Sequence, residues 1–281
     1  MTVELTPITD GDVAVVADFL HTNLDDRVPW ARVMSVPWKV EAPNHGFMLW
    51  DGQRVVGAYL AFYCERPVAG RVERFCNLGA WCVLSDFRFH SVRLLKALLA
   101  QDGYHFTDLS PNERVVSINA RLNFRFLDTS AAFVPNLPWP SLPGRTRISA
   151  DPDVIGSTLA GAELELYRDH AEAAAARHLV LIRGRDSCYV MYREVRHKNV
   201  PLLAVILHVG NPELFHRAVI PLTRHLLVRH RLLATLGELR IVGHRPRLSF
   251  KLISWPKMYR SASLEPVQID DLYSELLCVP Q

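Results

Sequence analysis

Five prolines crowd the stretch between Phe133 and Asp153: Pro135, Pro138, Pro140, Pro143 and Pro152, with Gly144 among them. Each removes an amide donor and biases the residue before it away from helix, so this stretch is extended and lies outside regular elements. A chain of 281 residues has room for roughly two domains of ordinary size. The sequence therefore reads as two halves, 1–134 and 151–281, joined by a linker over 135–150.

The chain has the composition of packed globular domains, with 49% hydrophobic and 22% charged residues. The 32 basic and 29 acidic residues leave a net charge of +3, too small and too dispersed to argue for a nucleic-acid surface. An anionic ligand must be recognised locally. No run approaches the ~18 apolar residues of a membrane span, and the N-terminus lacks a signal-peptide pattern. Cys64, Cys76, Cys82, Cys188 and Cys278 are odd in number and show no C-x-x-C spacing, which argues for reduced thiols, no metal site and a cytoplasmic protein.

In the first half, the patterning predicts a strand at Thr2–Pro7 and a helix at Asp10–His21 capped by Asp10. Arg27–Val40 reads as irregular helix. Strands follow at Gly46–Trp50 and Val55–Cys64, joined by an Asp51-Gly52-Gln53 turn, and at Val72–Val83. A helix at Ser91–Ala100, a strand at Tyr104–Leu109, a helix at Asn112–Leu122 and a strand at Phe124–Thr129 complete the half. The second half echoes this order: helix Gly161–Arg177 with its Ala171–Ala176 run, strands at His178–Arg183, Cys188–Arg193 and Leu202–Val209, a helical Pro212–Arg229, a strand at Leu239–Val242 and a terminal helix at Ile269–Leu277. Pro221 implies a kink or a late start in the long helix.

The segment Asn77–Asp128 is the most informative. A strand leads through Ser85–His90 into a helix, whose N-terminal amides and partial positive charge suit phosphate, with Arg88 adding a forked cation. From local chemistry alone, a solvated arginine on an ordinary loop is the favoured reading of these residues. The order Val83-Leu84-Ser85-Asp86-Phe87-Arg88-Phe89-His90-Ser91-Val92-Arg93 resembles the V-x-P-x-x-R-x-x-G-x-G/A pattern of the GCN5-related N-acetyltransferase (GNAT) superfamily. Val83, the aromatic Phe87 and Arg88 match. Ser85 stands for the proline, and Ser91 and Arg93 for the two small residues. A second landmark, N-x-x-A-x-x-L-Y-x-K-L-G-F, is matched over Asn112, Val115, Ile118, Asn119, Arg121, Leu122, Asn123 and Phe124. Asn123 suits the turn, because asparagine accepts left-handed geometry. Asn119 takes the place of a tyrosine that commonly protonates the departing thiolate, and asparagine donates a hydrogen bond but no proton.

The resemblance implies an α/β fold of two GNAT-like domains, each a mixed, mostly antiparallel sheet flanked by helices, with an acyl-CoA site in the first and a degenerate second. It implies an acyltransferase that moves an acyl group, acetyl first, from coenzyme A to an amine or hydroxyl of a small or sugar-like acceptor. The alternative is an inactive module that senses a ligand or binds a protein. On this reading the cofactor-binding residues are Trp81, Cys82, Val83, Leu84, Arg88, Phe89, His90, Ser91, Val92, Arg93 and Asn112, with Ser91 capping the helix. Glu73 and Asn119 are the catalytic candidates, although Glu73 also reads as a surface carboxylate. The acceptor would approach from Arg27–Val40 and Val72–Asn77.

Other clusters carry less. His105 and Asp108 are three apart on a strand and face opposite sides. Ser110 belongs to no G-x-S-x-G motif. His216–Arg231 reads as a helix with a solvated basic face, without metal-binding spacing. Trp30, Trp38, Trp50 and Trp81 suit either core packing or stacking on a sugar. Gly210-Asn211-Pro212-Glu213 has no phosphate-binding arginine. A small-molecule acceptor, no nucleic acid and no membrane are the expected partners, and a homodimer is left open.

Overall fold

The computed structural model describes residues 3–140, 146–197 and 200–280. The chain forms two compact units. Unit 1 comprises the residues up to Leu127 with 256–269 and 273–280; unit 2 comprises 128–255 with 270–272. Elements are numbered in chain order.

Unit 1 holds a seven-stranded sheet. Its strands are β1 (Glu4–Pro7), β2 (Gly46–Trp50), β3 (Val55–Val68), β4 (Arg71–Val83), β5 (His105–Asp108), β6 (Arg125–Phe126) and the C-terminal β14 (Met258–Arg260), in the order β1-β2-β3-β4-β5-β14-β6. Every pairing is antiparallel except β4 with β5. The Asp51-Gly52 turn forms as the sequence predicts: Asp51 Oδ1 accepts the amides of Gln53 and Arg54, and Gly52 takes a φ of 98°. A second two-residue turn, Ala69-Gly70, has both φ angles positive and closes β3 onto β4, which lengthens both strands beyond their predicted ends.

Helices α1 (Val13–Asn23) and α2 (Trp30–Met34) flank one face; α3 (Ser91–Leu99) and α4 (Glu113–Arg121) flank the other. The α1/α2 face is fixed by the Cys82 thiol reaching the Asn23 carbonyl, because Cys82 pairs with Ala58 in the row that also holds Leu60 and Phe62. Leu94, Leu95 and Leu98 of α3 are fully buried against Tyr59, Tyr63, Cys76 and Leu78 on the opposite face. The cap of the first helical turn is Thr9 with Asp12, not Asp10, whose carboxylate instead meets His45. Only α2 of the expected Arg27–Val40 stretch is helical.

Unit 2 repeats this plan. Its strands are β7 (Ser130–Pro135), β8 (Arg147–Ser149), β9 (Arg177–Arg183), β10 (Asp186–His197), β11 (Val200–Val209), β12 (Ala234–Glu238) and β13 (Phe250–Ile253). Their order is β8-β9-β10-β11-β12-β7-β13, with β11 and β12 the parallel pair. Helices α5 (Pro152–Thr158) and α6 (Gly161–His170) precede β9; α7 (Pro212–Arg217), α8 (Val219–His230) and the single turn α9 (Leu239–Val242) come later. Each sheet is thus mixed and mostly antiparallel, with one parallel junction and helices beside it.

The strands beside β5 and β12 come from distant parts of the chain. β14 lies between β5 and β6, and β7 lies between β12 and β13, so the last strand of each half completes the other sheet. Leu127 N–H donates to the Lys257 carbonyl in unit 1, and Ser254 N–H donates to the Thr129 carbonyl in unit 2. Each unit therefore has its two chain crossings side by side, and the change of unit falls at 127/128 rather than at 134. The expected linker contains the buried Asn136, bonded to Thr235 and to the Leu232 carbonyl, and the edge strand β8. Its residues 141–145, with Pro143 and Gly144, lie outside the described residues.

Three further element assignments differ from the sequence. Ala171–Ala176 forms turns, because burying Ala173 and Ala176 bends the backbone there despite the helix propensity of alanine. Leu239–Val242 is α9, while the strand is the preceding β12. Of Ile269–Leu277 only the short α10 (Glu275–Cys278) is α-helical over its described end. All five cysteines are free thiols. Among the described residues no helix is long and apolar enough to cross a membrane.

Candidate active site

One irregular point of unit 1 is the end of β4. Leu60 opposes Gly79 and Ala58 opposes Cys82, so β4 spends one residue more than β3 over this interval. The bulge is at Ala80, which takes a left-handed φ of 56°. β4 pairs with β5 only from Phe75 to Asn77, opposite His105 to Thr107. Beyond Asn77 the bulged strand runs on to Val83 without β5 beside it. Bulge and divergence together open the sheet there, and the chain then passes through a 3-10 turn (Ser85–His90) into α3.

A buried polar cluster lies beside this opening on both faces. On the α3/α4 face, Asn119 Nδ2 donates to Asp108 Oδ2 at 2.8 Å, and the Tyr59 hydroxyl approaches the same oxygen at 3.4 Å. Trp81 stacks on Tyr59, with centroids 4.5 Å apart and planes 8° from parallel. On the other face, Glu275 lies against Gly79, its backbone amide donates to Asn77 Oδ1 at 2.8 Å, and Oε1 accepts from the Ser110 hydroxyl at 2.9 Å. Asp108 and Glu275 are each 4% exposed. Burial pushes the Asp108 carboxyl up to about 7. Burial, and then the neighbouring Asp108, push Glu275 up to about 8. Three buried polar atoms here have no hydrogen-bond partner: Trp81 Nε1, Asn119 Oδ1 and Glu275 Oε2.

The sequence-derived candidates fall into three groups. Trp81, Cys82, Val83 and Leu84 follow the bulge; Trp81, Val83 and Leu84 pack on the α3/α4 face, and Cys82 turns to the other. Arg88 and Phe89 project from the 3-10 turn into solvent, and Arg88 has no ion pair among the described residues. Ser91 and Val92 open α3, whose first turn no side chain caps; the expected Ser91 cap is absent because Ser91 already lies within the helix and His90 is the N-cap. Arg93 turns away, donating to the Val3 carbonyl and to His90 Nδ1. Asn112 caps α4 by accepting the Arg114 and Val115 amides.

Glu73 sits far from this opening, seven residues or roughly 23 Å along β4 from Ala80. Its carboxylate meets His105 Nε2 at 3.1 Å, and His105 Nδ1 meets Ser261 Oγ at 2.9 Å. This Ser-His-Glu chain is a brace. Ser261 Oγ already accepts the Ser263 and Leu264 amides, so its hydroxyl proton is directed to His105. Beside it, a cleft of about 610 Å³ is lined by Tyr104, Arg125, Arg260 and Ser261.

Sequence reasoning missed Glu275 and set Asp108 aside. Glu275 is 165 residues from Ser110 in the chain. The one signal was an acid inside the apolar run Leu272–Val279.

The corresponding place in unit 2 is built differently. β11 has a bulge opposite Met191 and Tyr192, but Val242 of α9 packs on Gly237 there. The six-residue α7 is capped by Asn211, which takes the Leu214 amide.

Compared by sequence, the chain matches no protein-family model and no curated protein. Compared by structure, it is similar to a GCN5-related N-acetyltransferase from Anabaena variabilis, with a TM-score of 0.58 over 92% of this chain and 72% of that one, at 11% identity. The fold is that of the GCN5-related N-acetyltransferases. A glucosamine N-acetyltransferase region in a fungal multi-domain GH3 beta-N-acetylglucosaminidase matches with a TM-score of 0.56 over 92% of this chain and 38% of its own, at 12% identity. Saccharomyces cerevisiae N-myristoyltransferase with bound myristoyl-CoA matches with a TM-score of 0.50 over 97% and 83% of the two chains, at 10% identity. At these identities the likeness establishes the GNAT fold in both units and leaves the chemistry to the residues of the site.

Proposed function

We propose that unit 1 binds an acyl-coenzyme A and transfers its acyl group directly to an amine or hydroxyl of a small acceptor. The observation that carries this reading is the opening of the sheet at the Ala80 bulge, followed by the 3-10 turn Ser85–His90, whose start no side chain caps and which leads into α3. A bulge re-aims backbone groups, and an uncapped helix start presents amides to an anion; together they suit a carbonyl and a diphosphate on one ligand. Unit 2 lacks the second half of this arrangement, since Asn211 occupies the first-turn amide of its short helix.

The residues of the opening fit such a ligand. A pantetheine arm carries amide donors and acceptors, and Trp81 Nε1 and Asn119 Oδ1 are a buried donor and acceptor without partners. Backbone groups of Trp81, Cys82, Val83 and Leu84 would flank the arm, while Arg88 with Phe89, His90, Ser91 and Val92 would hold the phosphates. Arg93 and Asn112 support this geometry through Val3 and α4. Coenzyme A supplies the activated thioester when bound; the chain orients it and excludes water. An acetyl group on an amino-sugar acceptor is the specific substrate pair we favour, and the fungal glucosamine N-acetyltransferase region of the same fold supports it.

Calorimetric titration with acetyl-CoA tests the reading. One site per chain is expected, weakened at least tenfold by Arg88→Ala through the loss of a charge-assisted phosphate contact. Equal affinity in parent and variant would remove the phosphates from this loop, and absence of binding would overturn the proposal.

A further inference from the structure

The chain has no tyrosine where the resemblance to the superfamily calls for an acid, and its sequence offers no obvious base. The structure places two carboxyls at the opening instead, one on each face of the sheet. Strand alternation puts Asn77 and Gly79 in the row of Phe62, and Asp108 in the row of Tyr59 and Phe106. Glu275 rests on the first row and Asp108 stands in the second, so a thioester at the Ala80 bulge would have a carboxyl on either side.

We propose that the proton chemistry of this site is divided between the two: Glu275 takes the proton of the acceptor amine, and Asp108, oriented by Asn119 and Tyr59, protonates the departing sulfur. This inference rests on the acyl-transfer reading given above. The neutral amine nitrogen forms the new C–N bond with its lone pair. The C–S bond breaks with its electron pair on sulfur, the amine proton moves to Glu275, and the Asp108 proton moves to sulfur. Amide and thiol leave with every atom accounted for. The reactive state holds one proton in the pair, on Asp108 with Glu275 ionised, and transfer of one proton from Glu275 to Asp108 restores it.

Each carboxyl is held for its part. Glu275 is fixed at Oε1 by Ser110 and through its own backbone by Asn77, and its Oε2 has no hydrogen-bond partner. Asp108 is fixed by Asn119 from α4, by Tyr59 from β3 and by the Ser110 amide. Asn119 is therefore a positioning residue, occupying the tyrosine position while presenting a separate acid. The titratable groups facing Glu275 are Asp108, Tyr59 and Cys278, all neutral when protonated, so no cation draws its proton away.

Two measurements test the division. Isotope-edited infrared spectroscopy of the intact protein should show two protonated carboxyl bands at pH 6, one removed by Asp108→Asn and one by Glu275→Gln, and thiol release should rise as the Glu275 band is lost toward pH 8. Saturating acetyl-CoA should shift the Asp108 band. In parallel, thiol release from acetyl-CoA is followed with glucosamine as added acceptor and with water alone. Both variants should bind acetyl-CoA within about threefold of the parent and release thiol at least ~100-fold more slowly. An acetyl thioester of a more acidic thiol should restore the rate of Asp108→Asn and leave Glu275→Gln slow. An Asp108 carboxyl already ionised at pH 6, a Glu275 band that keeps its proton throughout the pH range of turnover, or variants that bind and turn over within fivefold of the parent would overturn the division while leaving the acyl-CoA site in place. A parent protein that binds no acetyl-CoA would remove the underlying reading itself.

Discussion

Asn119 Nδ2 lies 2.8 Å from Asp108 Oδ2 in the interior of unit 1, with Asn119 fully buried and Asp108 4% exposed. A donor there stabilises the carboxylate against the larger effect of burial, so the hydrogen bond tunes Asp108 without ionising it. Asn119→Ala should push the Asp108 carboxyl further up and move the alkaline limb of thiol release to higher pH by about one unit. The vacated contact should also cost about 1–3 kcal/mol of stability in a urea titration. An unshifted limb would separate Asn119 from the acid.

The two units should respond to pH with opposite signs. In unit 1, folding raises the carboxyl pKa values of Asp108 and Glu275, to about 7 and about 8. The native state then holds protons that the unfolded chain releases near pH 4, so this stability is full below pH 4 and is lost as pH rises toward 8. In unit 2, burial lowers His170 and His178 to about 4. There the unfolded chain binds protons first, and stability is lost as pH falls from 6.5 toward 4. Hydrogen exchange resolved by segment at pH 5 and pH 8 should show unit 1 better protected at pH 5 and unit 2 at pH 8. Asp108→Asn should flatten the unit 1 trend.

Unit 2 contains a buried ion triad in which Arg240 bridges Glu238 at 2.7 Å and Asp271 at 2.5 Å. Asp271 is fully buried and Glu238 nearly so. Arg240→Met strands two buried carboxylates and should cost about 3–5 kcal/mol, read as a lower denaturation midpoint. The triple variant Glu238→Gln, Arg240→Met, Asp271→Asn should recover much of that loss. A single variant within 1 kcal/mol of the parent, on the order of experimental error, would show the triad to be solvated.

Strand exchange makes a division at residue 134 unproductive. A fragment of 1–134 carries β7 with no sheet to join and leaves β5 as a bare edge where β14 belongs. It should aggregate. Joining Leu127 to Pro256 through an Asn-Gly turn should instead give a unit 1 that melts cooperatively, because the Leu127 amide already meets the Lys257 carbonyl at 2.9 Å. Circular dichroism with size-exclusion chromatography checks both, and a folded 1–134 fragment would contradict the exchange.

What the sequence disclosed followed how local the cause was. β2, β3 and β4 were legible because apolar runs flank an Asp-Gly turn, and α3 because Leu94, Leu95 and Leu98 repeat at helical spacing. Asn112 was legible as a helix start, although its carboxamide caps the helix and does not reach outward for a ligand. The exchanged strands were not legible, since pairing β14 with β5 joins segments about 150 residues apart and leaves no local trace. Glu275 escaped for the same reason. Its role comes from Ser110 and Asn77, and its own neighbours in sequence suggest only a packed terminal helix. Glu73 looked eligible because it is on the right strand, but strand membership does not fix distance along it.

Acyl transfer by this chain requires acyl-coenzyme A in the opening of unit 1. Hydrogen–deuterium exchange with and without saturating acetyl-CoA tests it most directly, because it locates the ligand on the chain without requiring the acceptor. Protection should appear across residues 80–93 and 108–119 and be absent from 209–218 in unit 2. Protection in unit 2 with none at 80–93 would contradict the account.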